Sequence, residues 1–282
     1  MKTSLFDIAA SCLMASEIEE KLLLTQQATR AWRNKLLLPD SQDPIRQINQ
    51  PGLPAKLVLV KPKDVPRRGL GTKTGLIALI HAIAHIEFNA INLAWDAVYR
   101  FRFLPEGFYD DWVTVAFEEA YHFQLLRERL KEFDHDYGDL PAHNGLWDMA
   151  LLTASDPLLR MALVPRVFEA RGLDVTPSII KRLRQIGDEK TIEILEIILR
   201  DEIGHVSIGS RWYNFFCDQR QIDPEKTFCE LVDQYLTGRI NGPFHYEARK
   251  QAGFTLNELN MLERMAMPIN QITVISSESF EC

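Results

Sequence analysis

The chain has 282 residues, a net charge of −7, 46% hydrophobic and 25% charged residues. That is an ordinary globular composition with enough apolar content for one large core or two small ones, and its acidic balance gives no support for non-specific nucleic-acid binding. Cys12, Cys217, Cys229 and Cys282 are scattered without a C-x-x-C pair, so they read as reduced thiols of a cytoplasmic protein, forming neither a disulfide framework nor a zinc site. The N-terminal stretch carries Asp7 among its apolar residues and lacks a charged leader, which does not fit a signal peptide. The most apolar stretch, 76–98, is interrupted by His81, His85, Glu87 and Asp96, a combination too costly for a membrane span.

In chain order, residues 2–35 read as helical, rich in Ala, Leu, Glu and Gln without Gly or Pro. Residues 37–68 hold Pro39, Pro44, Pro51, Pro54, Pro62 and Pro66, which excludes helix for most of the segment and predicts an extended arm wrapping the domain. Lys56–Val60 is the one strand-like run, and one strand makes no sheet. Four long helices follow: 72–103, 109–133, a third containing 158–171, and 188–217. A crossover loop spans 134–145. The third helix has Asp156-Pro157 at its start and Gly172 as its stop, with a bend at Pro165. A short helix after Thr176-Pro177 ends at Gly187. Helical pieces over 225–238, 245–252 and 256–267 come next, and the last dozen residues read as frayed. The expectation is an all-α fold in one domain. N-terminal helices occupy 1–36, the Pro-rich arm 37–70, a four-helix core 71–217 and a helical extension 218–282.

Two copies of one pattern lie in that core. Glu87 precedes Glu119-Ala-Tyr-His122 by 32 residues, and Glu169 precedes Glu202-Ile-Gly-His205 by 33. Four carboxylates and two imidazoles from four helices form a ligand set for two metal ions in a bundle core. Helical geometry supports the assignment, because residues 3, 4 and 7 apart share a face. Glu87 shares its face with Ile80, Ala84, Ile91 and Ala94, Glu119 with Trp112, Val115, Phe123 and Leu126, and Glu202 with Leu195, Ile198 and Val206. A carboxylate on an apolar stripe must neutralise or find a cation. The stripe of Glu169 (Ala162, Pro165, Arg166, Gly172, Leu173) is less uniformly apolar, so its assignment rests on the repeat spacing, and Arg166 offers it a salt-bridge partner.

Acids also precede each Glu-x-x-His, namely Glu118 and Asp201. Metal-bound histidines usually donate their second N–H to a carboxylate, and these two acids are candidates for that role, the alternative being solvated flank residues. Tyr121 and Tyr213 are candidates for a chemical role beside the metals, packing being the alternative. His81 and His85 lie about 120° and 160° from Glu87 around their helix, which sets them outside its site as surface or inter-helix histidines. His135 and His143 fall in the crossover loop and read as exposed. Gly69-Leu-Gly-Thr-Lys-Thr-Gly75 lacks the glycines of a phosphate loop and reads as a turn into the next helix. Lys181-Arg-Leu-Arg184 reads as a solvated helix face, and Arg67-Arg68 is too short to carry an argument.

With these residues placed, the chain resembles the ferritin-like di-iron carboxylate superfamily. The stretch from Val65 to Phe101, FEEAYHFQLL, VFEARGLD and RDEIGHVSIGSRWY look like the bacterial family known as domain of unknown function 455, over roughly residues 50–250. Asn92 stands where an acid or another polar residue is expected after the H-I-E-x-x-A-I pattern. That family is generally grouped near the enzyme that hydroxylates a modified adenosine in transfer RNA. The kinship implies a ferritin-like bundle and di-iron chemistry, and it implies no particular substrate.

Mixed Glu and His ligation suits iron, with manganese or zinc as alternatives, and six protein ligands over two metals leave open positions. The first reading is an O₂-dependent oxidase or hydroxylase of a small or nucleoside-like substrate, supplied by an external electron donor. The second is an iron-handling protein with ferroxidase activity at most, and the third a scaffold with structural metals. A membrane partner is not expected, transfer RNA stays open as a partner, and so does a homodimer.

Overall fold

The computed structural model describes residues 3–41, 43–66, 69–236, 238 and 240–266. Arg67-Arg68 and the last dozen residues, with Cys282, lie outside them. The described residues are overwhelmingly helical. The chain divides into two compact units, one of Met1–Pro157 with Ile180–Ile198, the other of Leu158–Ile179 with Leu199–Cys282.

The first unit opens with two helices, α1 (Leu5–Met14) and α2 (Ile18–Arg33), within the stretch expected to be helical. The break at 15–17 is fixed from inside. Lys21 Nζ donates to the Cys12 and Leu13 carbonyls at 2.8 and 3.0 Å, placing a cation on the α1 C-terminus. Two short strands, β1 (Thr3–Ser4) and β2 (Leu37–Leu38), pair in parallel across the ends of this helical hairpin, a pairing no local pattern announced. Among its described residues the arm then runs without α-helix. It is tied down by its backbone: Gly52 N donates to Leu13 O at 2.9 Å and Arg46 N to Tyr99 Oη at 2.8 Å. The strand-like run does find a partner, since Leu59 bridges Ala142 in parallel, with Val60 N to Ala142 O at 2.8 Å.

Helix α3 (Lys73–Arg100) starts at Thr72, whose hydroxyl accepts from Gly75 N at 3.1 Å. It packs most extensively on α4 (Glu106–Lys131), with α1 against α3 and α2 against α4. Indole N–H groups join the layers: Trp95 Nε1 donates to Thr25 Oγ1 at 3.0 Å and Trp32 Nε1 to Asp110 Oδ1 at 2.7 Å. By length and composition α3 could cross a membrane, but 89% of its apolar window is buried inside the protein. It is the core helix of this unit. A further helix, α5 (Gly145–Leu152), follows the crossover loop and was not read from the sequence.

In the second unit α6 (Pro157–Leu163) begins at Pro157, as the sequence suggests. Val164–Glu169 then forms a π-helical turn around Pro165. Helix α7 (Ala170–Ile186) corrects two expectations: Gly172 does not stop it, and Pro177 lies inside it instead of opening a new helix. Burial of Leu173, Ile180 and Leu183 along one face outweighs the local cost of both residues. The helix ends at Gly187, whose φ of +73° suits glycine. Helix α8 (Glu189–Arg220) follows Asp188, whose carboxylate accepts from Thr191 N at 3.2 Å. Both α7 and α8 run from one unit into the other. Helices α9 (Pro224–Leu236), α10 (Tyr246–Gln251) and α11 (Leu256–Ala266) match the C-terminal pieces expected. Cys12 and Cys217 are buried free thiols, and Cys229 is a half-buried one.

Candidate metal centre

The apolar stripes predicted around three carboxylates are real. Glu87 is 3% exposed, Glu119 0% and His122 0%, among buried Ile80, Ala84, Ile91, Trp112 and Phe123. In the first unit α3 and α4 bring these three together, so that one ligand atom from each lies within 4.8 Å of the others. His122 Nδ1 is 3.3 Å from Glu87 Oε2 and 3.5 Å from Glu119 Oε2.

The electrostatics show what this arrangement costs a metal-free protein. Burial, reinforced by the neighbouring Glu119 carboxylate, pushes the Glu87 carboxyl up to about 8. Burial disfavours a charged His122, but hydrogen bonding and attraction from Glu119 and Glu87 outweigh it and hold the imidazolium up to about 12. The carboxyl and imidazole groups thus hold protons in a place suited to a more highly charged cation. Among the described residues, Glu87 Oε2 is buried with only the His122 ring nitrogen, 3.3 Å away, beside it as a cationic partner, and the donor set of carboxylate oxygens and imidazole nitrogen suits a first-row divalent metal. On both counts the residues fit the ion.

The second copy of the pattern belongs to the second unit. Glu202 Oε1 and His205 Nδ1, one turn apart on α8, are 3.9 Å from each other, and both residues are buried. Glu169 is also buried, at 7% exposure, and is the last residue of the π-turn. Among the described residues it joins no group of three converging ligand atoms. The salt bridge suggested between Arg166 and Glu169 is replaced by another: Arg166 pairs with Glu258 of α11, because α11 delivers a buried carboxylate that no local pattern predicts.

The remaining candidates fall as follows. Asp201 is engaged by its neighbour Arg200, with Nε to Oδ1 at 2.8 Å, and Glu118 is half-buried. Tyr121 is 45% exposed on α4, beside His122 in sequence. Tyr213 is fully buried, donates to Pro224 O at 2.7 Å, and burial holds its phenol well above the ordinary range. His81 and His85 are buried, not on the helix surface, and anchor the crossover loop. Gly138 N donates to His81 Nε2 at 2.9 Å, and His85 reaches Tyr137 Oη at 2.8 Å and His143 O at 3.0 Å. His135 and His143 are half-buried instead of exposed, each tied to nearby backbone. Asn92 also finds its use: its side-chain oxygen accepts from buried Lys21 at 2.7 Å. Burial lowers the Lys21 ammonium to about 7, and the neutral acceptor keeps that site free of a carboxylate.

Fold and site together define a mostly helical protein with buried Glu/His groups able to hold a metal ion. The chain belongs to the family described as "Protein of unknown function (DUF455)", whose profile matches residues 14–260. It is similar to a protein of Haemophilus influenzae described as uncharacterized, with 46% identity over 258 residues, which is 89% of this chain and 87% of that protein. No solved structure matches the chain.

Proposed function

We propose that this chain is a di-metal carboxylate protein built on a ferritin-like four-helix arrangement. Its ligands are Glu87, Glu119, His122, Glu169, Glu202 and His205, and iron is the working metal. The observation that carries the reading is the buried convergence of Glu87, Glu119 and His122 within 4.8 Å. The sequence repeat extends it to a second ion, since Glu202 and His205 reproduce the same one-turn spacing on a buried face.

The chain's own residues do three things in this reading. Glu87 and Glu119 neutralise the ion's charge and can change how they bind it. His122 and His205 offer neutral imidazole nitrogens as ligands. The apolar neighbours Ile80, Ile91, Trp112 and Phe123 keep water from the site. Bound iron would supply the redox and O₂-binding chemistry, so the activity proposed is an O₂-dependent oxidation of an organic substrate with an external electron donor. The covering elements support an enzyme over a storage cage, because α1, α2, the arm and α9–α11 go well beyond the helices that carry ligands.

The test is anaerobic reconstitution with ferrous iron, elemental analysis, and exposure to O₂. About two irons per chain are expected, with O₂ uptake and a transient visible absorption. Glu119→Ala and His205→Ala should each lose metal. Full occupancy in either variant would show the ligand assignment to be wrong. A protein that takes only zinc and consumes no O₂ would sink the oxidase reading.

A further inference from the structure

Glu169 is the ligand candidate whose placement depends on an irregular backbone. A π-turn carries one more residue per hydrogen-bonded turn than an α-helix, so it rotates everything at its end relative to the regular register. The direction of the Glu169 side chain is therefore set by whether Val164–Glu169 keeps that form. Pro165 removes one backbone donor and disfavours a regular turn, but local chemistry alone does not select this geometry.

What selects it is a set of buried contacts from α8 and the C-terminal helices. Arg166 Nη2 donates to both oxygens of Glu258 at 2.7 Å, with the two side chains 1% and 3% exposed. The guanidinium lies 4.6 Å from the Tyr213 ring centroid, 4.2 Å from Phe228 and 4.6 Å from Phe254. Glu258 is oriented in turn by Thr255 N, which donates to its Oε2 at 3.0 Å. On the other side Gly209 of α8 admits Pro165. A Cβ at position 209 would come within 2.4 Å of the proline ring. Gly209 is one turn past His205 and two past Glu202, so this close approach lies on the ligand face of α8.

A charged pair this deeply buried is poor value for stability alone, since apolar residues of the same volume usually do as well. Its directional, charge-assisted geometry, with one Nη2 shared between the two Glu258 oxygens, does what apolar packing does not: it restrains the rotation of the turn. We propose that the Arg166–Glu258 clamp is a positioning device for Glu169, which makes α9–α11 part of the metal site's machinery. The proposal rests on the di-metal reading above.

The test uses the full chain, with Mn²⁺ as the probe, titrated by electron paramagnetic resonance and checked by elemental analysis. Three variants are compared: Glu258→Gln, the apolar double variant Arg166→Met/Glu258→Leu, and Leu236→Ala. The last destabilises α9 by a buried cavity without touching the pair. Wild type should bind two Mn²⁺ per chain. The double variant should stay folded with a melting temperature near wild type. It should keep its first Mn²⁺ and bind the second about 10–100-fold more weakly. Glu258→Gln should weaken the second site in the same direction, while Leu236→Ala should lower the melting temperature and keep both. An unchanged second site in both clamp variants overturns the proposal. So does an equal loss in Leu236→Ala, which would trace the effect to general destabilisation. Fewer than two Mn²⁺ in wild type would instead bring down the di-metal reading, and the clamp's role with it.

Discussion

The two copies of the Glu … Glu-x-x-His pattern are near twins in sequence and unlike in structure. In the first, Glu87 rides a regular 28-residue helix and its surroundings are apolar. In the second, Glu169 ends a π-turn beside buried ion pairs, Arg166–Glu258 and Arg249–Asp174, the latter with Nη2 to Oδ2 at 2.8 Å. Equal spacing along the chain thus nominates the same residue types in both copies, while among the described residues only Glu87, Glu119 and His122 of the first copy converge within their own unit. How firmly each is held depends on the backbone and on charges contributed from elsewhere. The surroundings of Glu87 are set by packing, whereas the turn that ends at Glu169 is flanked by directed polar contacts.

The largest effect expected is a difference between Glu87→Ala and Glu169→Ala. Partners outside a ligand set commonly cost about 10–100-fold in metal affinity, so removing Glu87 from its preformed cluster should cost more than about 100-fold. Glu169→Ala should cost less, and equal losses measured by metal titration would erase the distinction between the copies.

A smaller effect concerns pH and belongs to the first copy. Glu87 and His122 hold their protons more tightly folded than unfolded. Their contribution is therefore full at low pH and is lost as pH rises, from about 4.5 to about 8 for Glu87 and from about 6.5 to about 12 for His122. The melting temperature of metal-free protein should fall across this range, by about 2–4 °C per kcal/mol lost. Metal binding must expel the same protons, so loaded protein should show the opposite slope. Glu87→Gln should flatten the metal-free curve, and an unchanged slope in calorimetry would count against the site's electrostatics.

The smallest effects separate the two tyrosines. Tyr213→Phe leaves the Pro224 carbonyl without its donor and should cost about 1 kcal/mol in denaturant unfolding. Tyr121→Phe, on the exposed side of α4, should stay within about 0.5 kcal/mol and leave metal content unchanged. A metal defect in Tyr121→Phe would reopen it as a residue of the site.

Much of this was legible in the sequence because apolar periodicity is a local signal. The stripes around Glu87 and Glu119 located α3, α4 and the buried cluster, and Pro-Gly punctuation located the arm and α9–α11. Features resting on distant partners were not legible. Gly172 and Pro177 look like boundaries until Leu173 and Leu183 are known to be buried. Arg166 looks like a partner for Glu169 until α11 brings Glu258. His81 and His85 stay undecided between helix surface and helix interface until Tyr137 and Gly138 are seen packed over them. The π-turn has only Pro165 as a local sign, and a proline kink takes several forms.

The order of segments in the two units carries a consequence for how the protein is made. The first unit needs Ile180–Ile198 to be complete, and the second begins before that at Leu158. No single cut releases either unit as a continuous fragment. During synthesis the ribosome must deliver residues up to 198 before the first unit can close, by which time the whole of the second unit's early segment, Leu158–Ile179, has already emerged. The interleaving couples the folding of the two units: a chain truncated at residue 157 would lack not only the second unit but also Ile180–Ile198 of the first.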